Sequence, residues 1–197
     1  MVKTVKSEVK RAGTFLVALA VVMLLASVSS AADFKTGVTA YLNEEYERAM
    51  LEWAECAKDG DARAMAYIGY IYFAGLGFPQ DDAKAFEWFE RAAEKGDPDA
   101  IASLARMYAH GWGVEKDMEE AFALMERVKE KDNFAAQMVA SEFYENGFGT
   151  EVDLEKALEH AERLPMSELG LSMASTRDRR IQEIEKKIEE TRASPSL

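Results

Sequence analysis

Residues 100–121 read AIASLARMYAHGWGVEKDMEEA, and the fold turns on the Gly111-Trp112-Gly113 at their centre. Ahead of the glycines, Ala100, Leu104 and Tyr108 recur every four residues, which lays one apolar stripe along an α-helix. Behind them stands Asp117, followed by Met118-Glu119-Glu120-Ala121. An aspartate ahead of strong helix formers is an N-cap, and Glu120 three residues on completes a capping box. The glycines end the first helix, because they reach left-handed backbone conformations cheaply. The stretch therefore predicts a helix, a glycine turn and a second helix.

The same arrangement occurs twice more: Gly75-Leu76-Gly77 lies 36 residues upstream and Gly147-Phe148-Gly149 lies 36 residues downstream. Tyr72 and Tyr144 take the place of Tyr108, Asp81 and Asp153 that of Asp117, and Ala85 and Ala157 that of Ala121. Ala57, Gly60, Asp61 and Ala64 keep the register of Ala93, Gly96, Asp97 and Ala100, and a further step back from Ala85 reaches Ala49. Half a repeat, or one degenerate repeat, therefore precedes three clear ones. Ala64, Ile68 and Tyr72 form the stripe of a first helix, on which Gly69 permits close approach, while Ala85, Phe86, Phe89 and Ala93 form that of a second. A single helix pair cannot hide such faces, so the units must stack. The expected fold is all-α, a short right-handed α-solenoid of antiparallel helix pairs with a 36-residue period and repeats at about 34–63, 64–99, 100–135 and 136–165.

Past Pro165 the period stops, and Thr176 to Arg192 reads as a final helix with Ile181, Ile184 and Ile188 on one narrow stripe. It is expected to cap the last repeat, since an open solenoid needs a polar outer face; dimerisation is the other use of such a stripe. Ala193 to Leu197 is expected to be a frayed tail.

The pattern Ala100-x-x-x-Leu104-Ala105-x-x-Tyr108-x-x-Gly111-x-Gly113-Val114-x-x-Asp117-x-x-x-Ala121 resembles the Sel-1-like repeat, a relative of the tetratricopeptide repeat with a longer loop between its helices. Ala64 to Gly96 and, more loosely, Ala136 to Leu164 share it. Three departures fall late in the array: Asp132-Asn133 stands where Gly-Asp belongs, Thr150 replaces Val, and Leu164-Pro165 ends the array without a glycine. Looser stacking is expected there.

The first residues are expected to be a signal peptide. Lys3, Lys6, Lys10 and Arg11 precede an uncharged apolar run from Thr14 to Val28, and Ser29-Ser30-Ala31-Ala32 supplies small residues for a cut that leaves Asp33 first. The alternative is an uncleaved anchor, because Gly13 to Ala32 is just long enough to span a bilayer. No Cys sits at the cleavage point, and Cys56 is the only cysteine of the chain, so neither a lipid anchor nor an internal disulfide is indicated. A periplasmic or secreted bacterial protein is the simplest reading. The net charge of −12 becomes more negative once residues 1–32 are gone, which repels phosphate backbones and excludes nucleic acid as a partner; no membrane contact is expected after cleavage. Oligomeric state is not legible.

Chemistry is sparse. His110 and His160 lie in no metal-ligand spacing; the first is expected to cap helix carbonyls and the second to be a partly exposed packing residue. Cys56 falls on a small apolar position, which predicts a buried, inert thiol. The Gly-x-Gly turns follow helices and lack the Lys-Ser/Thr of a phosphate loop, and adjacent carboxylates such as Glu119-Glu120 do not face each other on a helix. No catalytic residue, metal or cofactor is expected.

Resemblance to tetratricopeptide-type repeats implies a concave face lined by the non-core positions of each first helix. Those are Arg63, Tyr70 and Phe73 in one unit, Asp99, Arg106 and His110 in the next, and Met138, Glu142, Glu145 and Asn146 in the last, grading from aromatic to acidic. The family resemblance implies a non-enzymatic adaptor or regulator that binds a protein or peptide of the cell envelope there. Two other readings stand beside it. One is a protein that binds or hydrolyses β-lactams or peptidoglycan, as cysteine-rich relatives are linked to β-lactams, although their paired cysteines and, beyond residues 1–32, a Ser-x-x-Lys motif are missing here. The other is a scaffold tethered to the inner membrane.

Overall fold

The computed structural model describes residues 33–164 and 171–193. The expected signal peptide, the expected frayed tail and residues 165–170 lie outside the described residues. Among the described residues the chain runs through nine helices and no strand: α1 (Phe34–Leu42), α2 (Tyr46–Lys58), α3 (Ala62–Ala74), α4 (Asp82–Glu94), α5 (Pro98–His110), α6 (Met118–Val128), α7 (Phe134–Asn146), α8 (Leu154–Glu162) and α9 (Leu171–Ala193). Neighbours pair as α1/α2, α3/α4, α5/α6 and α7/α8, and each pair stacks on the next. The all-α solenoid of helix pairs is thus realised. No described helix is long and apolar enough to cross a membrane.

The 36-residue register identifies the core. Ala49, Ala85, Ala121 and Ala157 are all fully buried, as are Ala64, Ala100 and Ala136. Small side chains at these places let helix axes approach, and larger ones fill between: Trp53, Phe89, Met125 and Ala161 occupy one register position and are all buried. Gly69 has to be glycine because an added Cβ would lie 2.9 Å from the ring of Phe89.

Helix ends follow the sequence. The three helices α3, α5 and α7 stop at Gly75, Gly111 and Gly147, each in the left-handed region. The second glycine of the turn has an additional reason. A Cβ on Gly113 would sit 2.3 Å from the carbonyl oxygen of Asp82, and one on Gly149 2.5 Å from that of Met118. Each turn is therefore pressed against the first turn of the outer helix one repeat earlier.

Asp81, Asp117 and Asp153 cap α4, α6 and α8 through backbone N–H groups of the first turn. The capping box expected at Asp117 is not closed. Its backbone N–H donates instead to the carbonyl of Tyr108 at 3.0 Å, and those of Asp81 and Asp153 donate to Tyr72 and Tyr144 at 3.0 and 2.8 Å. The glycine turn brings that carbonyl in before a Glu120 side chain can reach back.

The stretch before Asp61 is a complete helix pair. α1 and α2 are joined by Asn43, Glu44 and Glu45 alone, with Glu44 at φ 62°, whereas seven residues from Gly75 to Asp81 join α3 to α4. The shorter turn puts α1 four residues out of the 36-residue register, so Gly37 under Trp53 does what Gly69 does under Phe89. At the other end, Asn133 caps α7 in place of the expected aspartate, accepting from Ala136 N at 3.0 Å. Gln137 Nε2 secures the glycine-free turn by donating to the carbonyls of Lys129 and Lys131, both at 2.7 Å. Stacking changes there as well: α7 leans more on α5 than on α6.

α9 begins five residues before the expected Thr176 and packs on α8. Ile184 and Ile188 are buried in the common core and Ile181 is partly so, so the isoleucine stripe is spent inside the chain as a cap. Glu145 of α7 holds it: the carboxylate is paired with Arg180 and, at 2.5 Å, with Lys187.

Candidate functional site

The inner helices α1, α3, α5 and α7 together line an open groove of about 660 Å³. The repeat builds it. Positions 63, 99 and 135 supply one row, Arg63, Asp99 and Ala135; positions 66, 102 and 138 supply the next, Ala66, Ala102 and Met138. Tyr67 and Ser103 share a third, and Tyr70 and Arg106 a fourth. α5 packs directly on α7, but between α3 and α5 the outer layer shows through, and Phe89 of α4 forms part of the lining. Small alanines in the middle row are what leave the space open.

One end of the groove is aromatic. Phe34 meets Tyr67 edge-on at 5.5 Å, Tyr41 meets Tyr67 at 6.1 Å and Tyr70 at 6.5 Å, and Trp53 backs Tyr67 at 4.7 Å. Tyr70 is 47% exposed, large for an aromatic side chain. Burial first, and then the neighbouring tyrosines, push the Tyr41 hydroxyl up to about 12. Arg63 lies over the ring of Phe34 at 4.4 Å and makes two hydrogen bonds to Asp61, at 2.8 and 3.3 Å.

Farther along, the lining turns polar. Asp97, the N-cap of α5, is almost wholly buried, and that burial raises its carboxyl above the usual range despite the hydrogen bond from Ala100 N. Asp99 accepts from Asn133 Nδ2 at 3.2 Å. Tyr67 feels both carboxylates: burial and then Asp99 and Asp97 raise its hydroxyl.

Of the positions expected on the concave face, Arg63, Tyr70, Asp99, Arg106 and Met138 line the groove. The other five make contacts within the chain. Phe73 packs on Trp112 at 5.3 Å, inside the stack of repeats. Glu142 is an internal counter-ion, 3.1 Å from Arg106 and 3.3 Å from His110. His110 does not cap carbonyls; it stacks on Trp112 at 4.3 Å and meets Phe148 edge-on at 5.3 Å. Glu145, with its side chain 4% exposed, lies beneath α9, paired with Arg180 and Lys187. Asn146 turns back on its own helix, donating to the carbonyl of Glu142. A helical register places a residue on a face, but the glycine turns and the cap then cover part of that face.

Phe34, Tyr41, Tyr67 and Asp97 belong to the groove and were not anticipated. Tyr67 shares a register position with Ser103, a signal that was available; Phe34 and Tyr41 sit on the out-of-register helix and were not accessible by alignment of repeats.

His160 is buried and not partly exposed. Because Gln137 spends its amide protons on Lys129 and Lys131, its Oε1 accepts from His160 Nδ1 at 2.9 Å. Burial, and then the charge of Arg163, lower the pKa of this ring. Cys56 is buried as expected, and burial followed by nearby Asp61 raises its thiol. Among the described residues no cluster of His, Cys, Asp or Glu is arranged to hold a metal ion.

Comparison with known proteins bears on the same surface. The family model of the Sel1 repeat matches residues 62–97, 98–133 and 134–164 in succession, more than half of the chain. The chain is 30% identical to a Sel1 repeat protein from Oxalobacter formigenes of known crystal structure, with a TM-score of 0.57, covering 67% of this chain and 54% of that one. It is also 30% identical, with a TM-score of 0.50, to a protective antigen present in uropathogenic Escherichia coli strains that displays an SLR fold, covering 60% of this chain and 25% of that one. The match thus spans about half the length of the first and a quarter of the second. No curated protein matches the chain.

Proposed function

Because this chain belongs to the Sel1 repeat family, we propose that it is a non-enzymatic adaptor or regulator that binds another protein of the bacterial cell envelope through the groove of its inner helices. Repeats of this family serve in protein–protein interaction, and a polypeptide partner is the part of the reading that membership supports. The single observation that carries the assignment to this face is the open groove lined by matching positions of successive repeats, with Tyr70 exposed at its aromatic end. Large aromatic side chains at the edge of a partly open depression are what protein interfaces use as anchors. Placement in the envelope is supported by the basic start, the apolar run from Thr14 to Val28 and the small residues up to Ala32.

The test is a crosslinking pull-down from envelope fractions with the wild-type protein beside a Tyr70→Ala/Arg106→Ala/Met138→Ala variant. Circular dichroism checks that the variant keeps its helices. Loss of one discrete partner with the fold intact is the expected result. Retention of every partner by the folded variant would remove the groove from the account.

A further inference from the structure

The charges around the groove are unevenly satisfied. Arg63 is paired with Asp61 and Arg106 with Glu142, so each guanidinium charge already has a carboxylate beside it. Among the described residues Asp97 and Asp99 stand in no salt bridge of their own: Asp97 accepts from the backbone N–H groups of Ala100 and Asp99 and feels Arg63 only at a distance, and Asp99 accepts from Asn133 Nδ2. The whole chain carries a net charge of −12, which adds attraction for cations at longer range. Tyr67 lies near enough to feel both carboxylates, and Tyr70 lines the same groove one turn farther along α3. From there the strip of Ala66, Ala102 and Met138 continues across three repeats. Packed helices lie roughly 10 Å apart and α3 stands farther than that from α5, so the strip runs more than about 20 Å, the reach of about six or more residues of extended chain.

We propose, resting on the groove as the binding face, that its occupant is an extended peptide segment that seats a lysine or arginine at Asp97 and Asp99 and lays an adjacent apolar side chain on the Ala66–Ala102–Met138 strip. A cation arriving there relieves a carboxylate that burial leaves poorly solvated. An acidic peptide gains nothing from it and meets repulsion.

Random dodecapeptides displayed on phage are panned against the purified full chain, and the enriched sequences are synthesised with a fluorophore for anisotropy titration. Enrichment of a Lys or Arg next to an apolar residue is expected, with affinity that falls as salt is raised. The decisive variant is Asp97→Asn/Asp99→Asn. Asparagine keeps the N-cap of α5 and accepts from Asn133, so the fold is retained while the charge is lost. It is expected to weaken the basic peptides by about tenfold or more. A Tyr70→Ala/Met138→Ala variant separates this inference from the reading beneath it. Peptides without basic residues that bind the Asn variant normally and are lost on Tyr70→Ala/Met138→Ala would leave the groove as the site and sink the cationic occupant. Peptides indifferent to both variants, or no enrichment at all, would overturn both.

Discussion

Gly113 and Gly96 both hold positive φ, 67° and 85°, yet only Gly113 has another segment of chain against it. A Cβ at Gly96 would meet nothing within 4 Å, so Gly96→Ala carries only the left-handed backbone penalty of about 1–2 kcal/mol. Gly113→Ala adds a collision with the Asp82 carbonyl and is expected to cost about 2 kcal/mol more. Urea titration of the two variants measures the gap, and equal losses would mean that the turn does not press on the preceding repeat. The Gly-x-Gly spacing was plain in the sequence, but not the reason for its second glycine, which depends on a neighbour 31 residues earlier, Asp82 against Gly113.

His160 makes a pH prediction. Its ring is held neutral by burial and by Arg163, so its folded pKa lies below the 6.5 of an exposed histidine. Between those two values the unfolded chain binds a proton that the folded chain does not. Stability is therefore expected to fall as pH drops below about 6.5, and to stop falling from this cause once pH passes the folded value. His160→Asn keeps a donor for Gln137 and removes the titration. The melting temperature of the variant should start lower at pH 8 and decline less towards pH 5 than that of the wild type; parallel curves would contradict the assignment. The sequence aligned His160 with Trp88 and Leu124 and gave no hint of Gln137, which comes from a different helix.

At the scale of elements, α3, α5 and α7 end where the glycines required, because local backbone chemistry decides helix termini. α1 was legible only as a remnant: with four residues missing from its turn, the periodic signal vanished although the packing against Trp53 did not. α9 was recognised by its isoleucines and its capping role anticipated, but the ion pairs that fix it were not, since Glu145 appeared as a concave-face residue by register. Those pairs give the element its prediction. Glu145 is almost wholly buried between Arg180 and Lys187, and removing one member of a buried pair costs about 3 kcal/mol or more. In Glu145→Gln, hydrogen exchange measured by mass spectrometry is expected to show loss of protection over residues 176–193 while residues 62–128 keep theirs. Unchanged protection of α9 would show that the buried isoleucines hold the cap alone.

For the whole molecule, the repeat period carried the architecture because every unit repeats the same packing problem, and a solution found once is found in each. The binding face was legible to the extent that it obeys the same period, as Arg63 and Asp99 or Tyr70 and Arg106 do. It was illegible where non-repeating parts intervene. The out-of-register α1 adds Phe34 and Tyr41 to the groove, the glycine turns take Phe73 and His110 into packing with Trp112, and α9 covers Glu145. The resulting surface is aromatic at one end and carries, in the middle, carboxylates held by hydrogen bonds and not by salt bridges, a pattern that no single repeat contains.

The central claim is that partners bind the inner helices and not the outer ones. Site-specific photo-crosslinking tests it most directly, with a benzoylphenylalanine placed in turn at Tyr70, Ser103 and Met138 in the groove and at Leu51 and Val152, which are 70% and 60% exposed elsewhere on the molecule. Irradiation in native envelope fractions is expected to join one discrete protein to the groove positions and to leave the other two uncrosslinked. The same protein captured from Leu51 or Val152, with none from the groove, would contradict the account.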